Sequence, residues 1–488
     1  MSKTISIIGS GFSALAAACY LAKAGNTVTI FEKNKTIGGR ARQLKRDGFS
    51  FDIGPTWYWM PDVFERFFAD FDTLPSDFYR LEKLNPAYSV YFGKDDFITI
   101  EDTLEKICVA FENEEKGSSK KLKKFIANAQ HNYDVAIKDL VYRPGISPFE
   151  LMTPVTIKKI GQFFSTIKKD VRKEFKNDRL ATILEFPVLF LGAKPDETPS
   201  FYSFMNYADF GIGTFHPKGG MYEVVLAMET LATSFGVTIK TENPVEKIIV
   251  NNNKATGLIS NGVTYNSDIV LSGADYHHSE TLLDKPYRQY SERYWENKTF
   301  APSSLLFYVG FDKKLKNVNH HTLFFDVDFE THAKDIYDVP KWPENPLFYA
   351  SFPSITDKNS APIGQEAGIF LIPLAPGLED TSELRNTYFE KIITRFEHLT
   401  SQTIRNNVLF MESFCVNDFI KDYNSYKGNA YGMANTLMQT AFLRPKLMSK
   451  KVDNLYFTGQ LTVPGPGVPP SLISGKLVAE LIKKHHNN

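Results

Sequence analysis

The chain has 488 residues, and its 56 lysine and arginine residues are balanced by 56 aspartate and glutamate residues. This balance argues against the basic surface that nucleic-acid-binding proteins need, so we expect no nucleic-acid partner. The length suits two or three domains, and no run of 18 uninterrupted apolar residues predicts a helix across a membrane.

Three cysteines, Cys19, Cys108 and Cys415, lie far apart, with no CxxC pair and no neighbouring histidine at metal-ligand spacing. We therefore expect a reduced, cytoplasmic protein without a structural metal. The 40 phenylalanine and 23 tyrosine residues either fill a large core or line an apolar cavity for a large ligand. Composition does not choose between these two roles.

The first thirty residues follow the order strand, tight turn, helix, strand that is typical of a parallel βαβ unit. The β-rich run 4–8 ends at a GxGxxA motif formed by Gly9, Gly11 and Ala14, with Phe12 and Ser13 between them. The glycines let the backbone approach a pyrophosphate, and the alanine keeps the helix close to the sheet. Small residues at 14–22 also resemble a signal-peptide core, but the flanking pattern fits a buried Rossmann helix better.

Glu32 ends the second predicted strand, 21 positions after Gly11. A carboxylate at this spacing can accept hydrogen bonds from both ribose hydroxyls of an adenosine. Glu32 and the adjacent Lys33 are therefore included in the predicted cofactor site. The alternative for Glu32 is a solvated charge at a strand end.

A second glycine motif, Gly38-Gly39-Arg40, follows Glu32 by six residues. The glycine pair suits another close backbone approach to a cofactor, and the Arg40 guanidinium offers several donors to a pyrophosphate. NAD and FAD share the first motif, and the second favours FAD. The alternative for Arg40 is an ion pair with a surface carboxylate.

The rest of the chain predicts a discontinuous arrangement of domains. Lysine-rich helical patterns cover about 101–190, a meander of short strands starts after His216, and the last forty residues return to strand, glycine loop and helix. We predict an α/β fold with a Rossmann-like FAD-binding domain, a discontinuous mixed α+β substrate domain and an inserted helical subdomain. The expected ranges are 1–85, 216–290 and 448–488 for the FAD-binding domain, 86–215 for the helical subdomain and 291–447 for the substrate domain.

Several of these motifs resemble those of a known superfamily. Glu32 followed by Gly38-Gly39-Arg40 is similar to the signature shared by amine oxidases, carotenoid desaturases and the flavin-free Rab escort and dissociation-inhibitor proteins. Segments along nearly the whole chain resemble bacterial phytoene desaturases, at 48–56, 190–193, 215–221, 454–460 and 464–469. The resemblance implies an FAD-dependent oxidoreductase that acts on CH–CH groups and introduces double bonds into an acyclic carotenoid such as phytoene.

The resemblance also extends the expected cofactor site. In this family the closing strand, loop and helix return to the isoalloxazine ring. The strand that begins at the position of Val245 gives backbone contacts to adenine. The additional cofactor-binding residues are Gly54, Pro55, Thr56, Val245, Gly459, Gln460, Gly467, Val468 and Pro469. The last helix is expected to start near Ser471, with Pro470 in its first turn. No cysteine lies in this segment, so we expect the FAD to be bound non-covalently.

No catalytic residue is assigned, because the flavin supplies the redox power and the protein has only to position an apolar chain away from water. The charged pair proposed for the family does not align with residues 142–150. The doublets His277-His278 and His320-His321 are interpreted as surface or loop histidines. Trp57-Tyr58-Trp59 either walls a polyene or packs in the core.

Other functions remain open at this point. Within flavoenzymes they are a carotenoid isomerase, a retinoid saturase or an amine oxidase. A different class is a lipid-binding escort protein that keeps the fold without the flavin.

A basic amphipathic helix is predicted around residues 157–173. Its apolar residues recur at spacings of 3, 4, 3 and 4, and they are Ile157, Ile160, Phe164, Ile167 and Val171. This stripe either packs on the core or lies on anionic lipid. Because long polyenes dissolve in bilayers, the resemblance favours a cytoplasmic protein that associates peripherally with the inner face of the membrane. Oxygen or a quinone is the expected electron acceptor.

Overall fold

The computed structural model describes residues 2–151, 154 and 159–486. The strands are β1 (Thr4–Ile8), β2 (Thr27–Phe31), β3 (Gln43–Arg46), β4 (Phe49–Asp52), β5 (Leu81–Lys83), β6 (Tyr88–Gly93), β7 (Asp96–Ile100), β8 (Phe215–Pro217), β9 (Thr238–Lys240), β10 (Val245–Asn251), β11 (Lys254–Ser260), β12 (Val263–Asn266), β13 (Ile269–Ser272), β14 (Ser303–Phe311), β15 (His321–Phe324), β16 (Phe348–Ser351), β17 (Glu366–Leu374), β18 (Val408–Phe414) and β19 (Leu455–Phe457). The α-helices are α1 (Phe12–Lys23), α2 (Pro61–Ala69), α3 (Leu104–Glu114), α4 (Ser118–Lys138), α5 (Ile160–Phe164), α6 (Ile167–Glu174), α7 (Asp178–Glu185), α8 (Phe204–Asn206), α9 (Tyr222–Ser234), α10 (Tyr276–Thr281), α11 (Glu292–Glu296), α12 (Phe329–Tyr337), α13 (Ser382–Leu399), α14 (Val416–Tyr423) and α15 (Val468–His486).

A five-stranded parallel sheet, in the order β19-β13-β1-β2-β9, brings the two ends of the chain together. The alanine-rich α1 is buried along nearly its whole length, because the last helix α15 packs closely against it. A Cβ atom at Gly475 of α15 would lie 2.5 Å from the carbonyl oxygen of Ser13. This small-residue contact holds the first turn of α1 beside the start of α15. The predicted α/β class is confirmed.

A seven-stranded sheet, in the order β18-β14-β17-β16-β15-β6-β7, forms the second layer. Strand β14 is buried throughout, and helix α13 contributes Ile392, Ile393 and Phe396 to the core on one face. The strands β6 and β7 lie in the range 86–215 that was expected to be helical. They join this sheet instead, because β6 pairs in parallel with β15 and antiparallel with β7.

The predicted meander after His216 is only partly right. Strands β10, β11 and β12 do form a three-stranded antiparallel sheet. The segments on either side of them, β9 and β13, are parallel strands of the five-stranded sheet. Their neighbours are remote in sequence, so local pattern alone did not separate them from the meander.

The continuous amphipathic helix expected over 157–173 is wrong. Ile157 and Lys158 lie outside the described residues, and the remainder is split into α5 and α6 by extended backbone at Ser165 and Thr166. The break is held by a strand-like contact, in which the Ser200 amide donates to the Ser165 carbonyl at 2.9 Å. Ile167 and Val171 of α6 are buried in the core. Of the basic residues, Lys168 pairs with Glu330 and Arg172 with Glu185.

Asp209 is a buried carboxyl group in the helical region, and it predicts a pH-dependent stability. Burial raises its pKa to about 7, although it accepts a hydrogen bond from the Tyr88 hydroxyl at 2.7 Å. The ordinary pKa is 3.8, so between about pH 4 and 7 the folded state keeps a proton that the unfolded state has released. The free energy of unfolding therefore falls as the pH rises through this window.

Asp209→Asn removes this titration. Relative to the wild type, the variant is expected to gain up to about 4 kcal/mol in the free energy of unfolding between pH 4 and pH 8. Urea unfolding of both proteins at several pH values measures this difference. Asp52, whose burial also raises its pKa to about 7, titrates in both proteins and cancels from the comparison. If the free energy of unfolding changed with pH in the same way in both proteins, the raised pKa of Asp209 would be contradicted.

Candidate active site

A single continuous cavity of about 890 Å³ lies between the parallel sheet, the seven-stranded sheet and the helical region. Residues that the sequence assigned to a cofactor line one part of it. They are Gly9, Gly11, Phe12, Ser13, Glu32, Lys33, Gly38, Gly39, Arg40, Gly54, Pro55, Thr56, Val245, Gly459, Gln460, Gly467, Val468 and Pro469. Ala14 lies behind this wall, fully buried, where a Cβ atom at Gly273 would come within 2.8 Å of its own Cβ atom.

The first glycine turn leaves room on its cavity side. Gly11 has a φ of −71°, which any residue can adopt, and a Cβ atom there would meet no other atom within 4 Å. The protein itself therefore does not require glycine at this position. Gly39 of the second motif lies directly against it, since a Cβ atom at Gly39 would be 3.1 Å from the Gly11 Cα atom. The two motifs together form a cradle that a larger side chain would fill.

Glu32 is buried at the end of β2, with 4% of its surface exposed. Its Oε2 atom accepts from the Ser10 amide at 3.0 Å and from the Ser10 hydroxyl at 2.6 Å, and Oε1 accepts from the Asn34 amide at 2.8 Å. A carboxylate has about four acceptor positions, so it retains capacity for a hydroxyl in the cavity. Glu32 thus fixes the glycine turn and faces the cavity, which removes the alternative of a solvated charge.

Arg40 is buried, and burial lowers the pKa of its guanidinium, an effect that the nearby Asp275 carboxylate opposes. Its Nη2 atom donates to the Ser425 hydroxyl at 3.0 Å and to the Asn429 carbonyl at 3.3 Å. Within the described part of the chain, its buried Nε atom has no hydrogen-bond partner. A free donor on a buried cation is suited to an anion in the cavity. Arg40 therefore does not form an ion pair with a surface carboxylate, which was the alternative hypothesis for this residue.

The closing segment lies beside the first glycine motif, since a Cβ atom at Gly459 would be 3.2 Å from the Ser13 Oγ atom. The Gly459 amide donates to the Ser474 hydroxyl at 3.0 Å, which ties the loop to α15. Helix α15 begins at Val468, three residues before the expected start, because the rigid prolines that follow it fit the first helical turn. Among the described residues, the buried Nε2 atom of Gln460 has no partner.

Most of the remaining wall of the cavity is apolar or aromatic, although the charged residues Arg143, Glu150 and Lys194 also line it. Its walls include Trp57, Trp59, Phe163, Phe186, Leu189, Phe190, Phe201, Phe204, Phe325, Leu347 and Leu371. Trp57 and Trp59 line the cavity. Tyr58 instead packs in the core against Phe64, and its hydroxyl forms a hydrogen bond of 2.8 Å with the Tyr79 hydroxyl. Within the motif, Trp57 and Trp59 thus line the cavity and Tyr58 packs in the core. The heavy aromatic content likewise fills the core and lines a cavity.

The histidine doublet His320-His321 is not on the surface. His320 is 3% exposed and His321 is completely buried at the start of β15, so the sequence interpretation was wrong. The indole of Trp57 stacks on the His321 ring, with 4.1 Å between centroids and 11° between planes. Burial, together with the nearby His216, holds the pKa of His321 well below its usual range. The ring is therefore neutral at ordinary pH.

Sequence reasoning also missed Tyr349, whose side chain lines the cavity from β16. Its hydroxyl lies 2.8 Å from Thr56 Oγ1 and 2.6 Å from His321 Nδ1. These three residues are far apart in sequence, and only the register of β15 against β16 brings the last two together. No local motif could have indicated the contact.

The family model described as flavin containing amine oxidoreductase matches residues 12–483 of the chain. The chain belongs to this family. Its carotenoid desaturase relatives include a carotenoid 3,4-desaturase of Haloarcula japonica, which is 39% identical over 98% of this chain and 97% of the relative. A 4,4'-diapophytoene desaturase of Staphylococcus haemolyticus is 32% identical over 98% of each chain. The suspected kinship with carotenoid desaturases is confirmed.

An oxidoreductase from Methanosarcina mazei has a similar solved structure, with a TM-score of 0.64 over 98% of this chain and 100% of the other. At 17% identity this likeness concerns the fold. Membership of the amine oxidoreductase family makes the bound cofactor a flavin. The open glycine cradle and the Arg40 Nε donor, which has no partner among the described residues, fit a phosphate-bearing flavin.

Proposed function

We propose that the chain is an FAD-dependent desaturase that introduces double bonds into an acyclic carotenoid such as phytoene. The observation that carries the proposal is the continuity of one cavity from a nucleotide-type glycine cradle to an aromatic, apolar chamber. The kinship with carotenoid desaturases supports the same substrate class. The enzyme is an oxidoreductase that acts on CH–CH groups.

The cofactor in this proposal is non-covalent FAD. Arg40 and the amides around Gly11 bind the pyrophosphate, Glu32 accepts from the ribose, and Val245 lies at the adenine end. The loop from Gly459 and the start of α15 hold the ring system. The three cysteines are buried away from the cavity lining, which supports a non-covalent link. This arrangement suits the division into an FAD-binding domain, a substrate domain and a helical subdomain.

Bound flavin accepts a hydride and so supplies the oxidising power of the reaction. The chain's own residues have a simpler task, because an acyclic polyene offers little for hydrogen bonding. Aromatic walls around Trp57 and Phe190 orient the chain and exclude water from the reacting carbons. Oxygen or a quinone is the proposed acceptor that takes the electrons afterwards.

The proposed partner at the mouth of the cavity is the bilayer at the inner face of the membrane. Ile146 and Phe149 are 61% and 73% exposed, and their neighbours Gly145 and Ser147 line the cavity. Phe164 and Met438 are similarly exposed beside cavity-lining residues. In the described residues we find no helix with the length and apolarity needed to span a bilayer. Exposed apolar side chains at the entrance therefore carry the membrane proposal, in place of the expected amphipathic helix.

A flotation experiment tests this membrane contact. The double variant Ile146→Glu and Phe149→Glu is expected to lose most of its binding to anionic liposomes, since each charge would enter the interface. Ile363→Glu is the matched control, because Ile363 is a fully exposed isoleucine that does not line the cavity. Equal flotation of the double variant and the wild type would refute the proposed contact.

Product analysis tests the proposed function. Purified protein incubated with 15-cis-phytoene in liposomes is expected to give products with more conjugated double bonds and absorption at longer wavelength. Changed double-bond geometry without a longer chromophore would favour a carotenoid isomerase or saturase. A colourless protein that binds no flavin would favour the escort function, and oxidation of amines alone would favour an amine oxidase.

A further inference from the structure

A desaturase has to remove a proton as well as a hydride, and one hydroxyl in the cavity wall is held in a fixed position from which it could accept the proton. Tyr349 lines the cavity, and its hydroxyl is held between Thr56 Oγ1 at 2.8 Å and His321 Nδ1 at 2.6 Å. Both partners come from other elements, so the hydroxyl has a fixed position. A fixed oxygen among the aromatic walls of the chamber is the geometry of a general base.

We propose that Tyr349 is the residue that takes the proton from the substrate, and that His321 receives the tyrosine's own proton in turn. The inference rests on the proposed desaturase function. Tyr349 is a catalytic residue in this account, and His321 is a positioning residue that acts through it.

One hydrogen leaves its carbon with the electron pair of its C–H bond, as hydride, and the flavin is reduced by two electrons. The neighbouring carbon loses its hydrogen as a proton, and the electron pair of that C–H bond becomes the new π bond. This proton bonds to the Tyr349 oxygen while the phenolic proton passes to Nδ1 of His321.

A weak base is sufficient here. Loss of hydride leaves positive charge on the substrate, which makes the adjacent C–H bond strongly acidic. The phenolic oxygen therefore does not have to be ionised beforehand, and burial does keep the pKa of Tyr349 above its usual range. Because His321 is neutral, its Nδ1 atom can accept from the hydroxyl in the tautomer that carries the proton on Nε2.

Burial disfavours an imidazolium at His321, and the stacked Trp57 indole offsets part of this cost for a transient one. The Trp57 indole covers one face of the ring in a parallel stack at 4.1 Å, and an aromatic face stabilises a neighbouring cation. The His320 ring is 4.5 Å from His321 and 4.6 Å from His216 between centroids, so three buried histidines extend away from the cavity. The Asp357 carboxylate acts electrostatically on His216 at the far end of this array.

Two variants distinguish proton transfer through Tyr349 and His321 from a purely structural role of these residues. Tyr349→Phe removes the acceptor and keeps the ring. His321→Asn keeps an acceptor near the Nδ1 position but cannot hold the proton. Tyr58→Phe is the matched control, because it removes a tyrosine hydroxyl that is buried in the core.

The experiment mixes each purified flavoprotein anaerobically with 15-cis-phytoene in liposomes and follows the loss of flavin absorbance. Tyr349→Phe and His321→Asn are expected to slow it by about 100-fold, with flavin content and melting temperature close to those of the wild type. The wild-type rate is expected to fall in D₂O, and this solvent isotope effect is expected to vanish in Tyr349→Phe. Tyr58→Phe is expected to stay within about two-fold of the wild type.

If Tyr349→Phe reduced its flavin as fast as the wild type, the proposed proton transfer would be overturned. It would also be overturned if flavin reduction were slow in Tyr349→Phe but fast in His321→Asn. Those results presuppose a wild type that desaturates. A wild type that binds flavin but never converts the substrate would instead overturn the proposed function, so the two failures are distinct.

Discussion

Gly11→Val is expected to give a folded protein that binds almost no FAD. The backbone at Gly11 is extended and free of left-handed strain, and a side chain there would point into open space. A valine at this position is therefore expected to change the folding stability of the flavin-free protein little. It would occupy the volume that the pyrophosphate needs next to the amides of the turn.

The measurement pairs flavin content with thermal unfolding. We expect less than about one hundredth of the wild-type affinity for FAD, because the loss of several phosphate contacts exceeds about 3 kcal/mol. The melting temperature of the flavin-free variant should match that of flavin-free wild type. Gly161→Val is the matched control, since Gly161 also has open space for a side chain but does not line the cavity. Full flavin content in Gly11→Val would exclude a diphosphate from this turn.

Glu32→Ala is expected to weaken FAD binding by about 100-fold or more. A hydrogen bond to a charged acceptor is worth about 1.5–3 kcal/mol, and the variant removes the free acceptor position of the carboxylate for a ribose hydroxyl. The change also releases the Ser10 and Asn34 amides that hold the turn. Equilibrium titration of the flavin-free proteins with FAD measures the effect.

Ser10→Ala distinguishes these two contributions. It removes the 2.6 Å hydroxyl contact to Glu32 and keeps the carboxylate, so that only the support of the turn is weakened. We expect its affinity to remain within about ten-fold of the wild type. If Glu32→Ala bound FAD as tightly as Ser10→Ala does, the carboxylate would have no direct role at the ribose.

The grouping of the expected cofactor residues around one cavity could be predicted from sequence, because the signals are local. The spacing from Gly11 to Glu32 belongs to one βαβ unit, and β1, α1 and β2 form that unit as expected. The closing strand β19 and helix α15 were also indicated by a continuous local pattern. Only the start of α15 was misplaced, by three residues.

The substrate end depends on contacts between distant segments, and there the sequence was less informative. The pairing of β6 with β15 and the break at Ser165 are both made by partners far along the chain. His321 was interpreted as a loop residue because a histidine pair is usually solvated. Its burial follows from the position of β15 inside the seven-stranded sheet, which no local pattern reveals.

These contacts also explain why no proton acceptor was found from sequence. Thr56 immediately precedes the aromatic motif, whereas His321 and Tyr349 lie on two neighbouring strands much later in the chain. Thr56 and Tyr349 are 293 residues apart. Each residue type is unremarkable on its own. The arrangement has meaning only once the strand register is known.

An anaerobic titration of the purified protein with 15-cis-phytoene in liposomes tests the central claim, that a flavin in this cavity takes two electrons from a polyene. We predict that the visible flavin band disappears as new conjugated double bonds form, with one flavin reduced for each double bond in a single turnover. A flavin band that persists while conjugated product accumulates, or a protein that contains no flavin, would contradict the account.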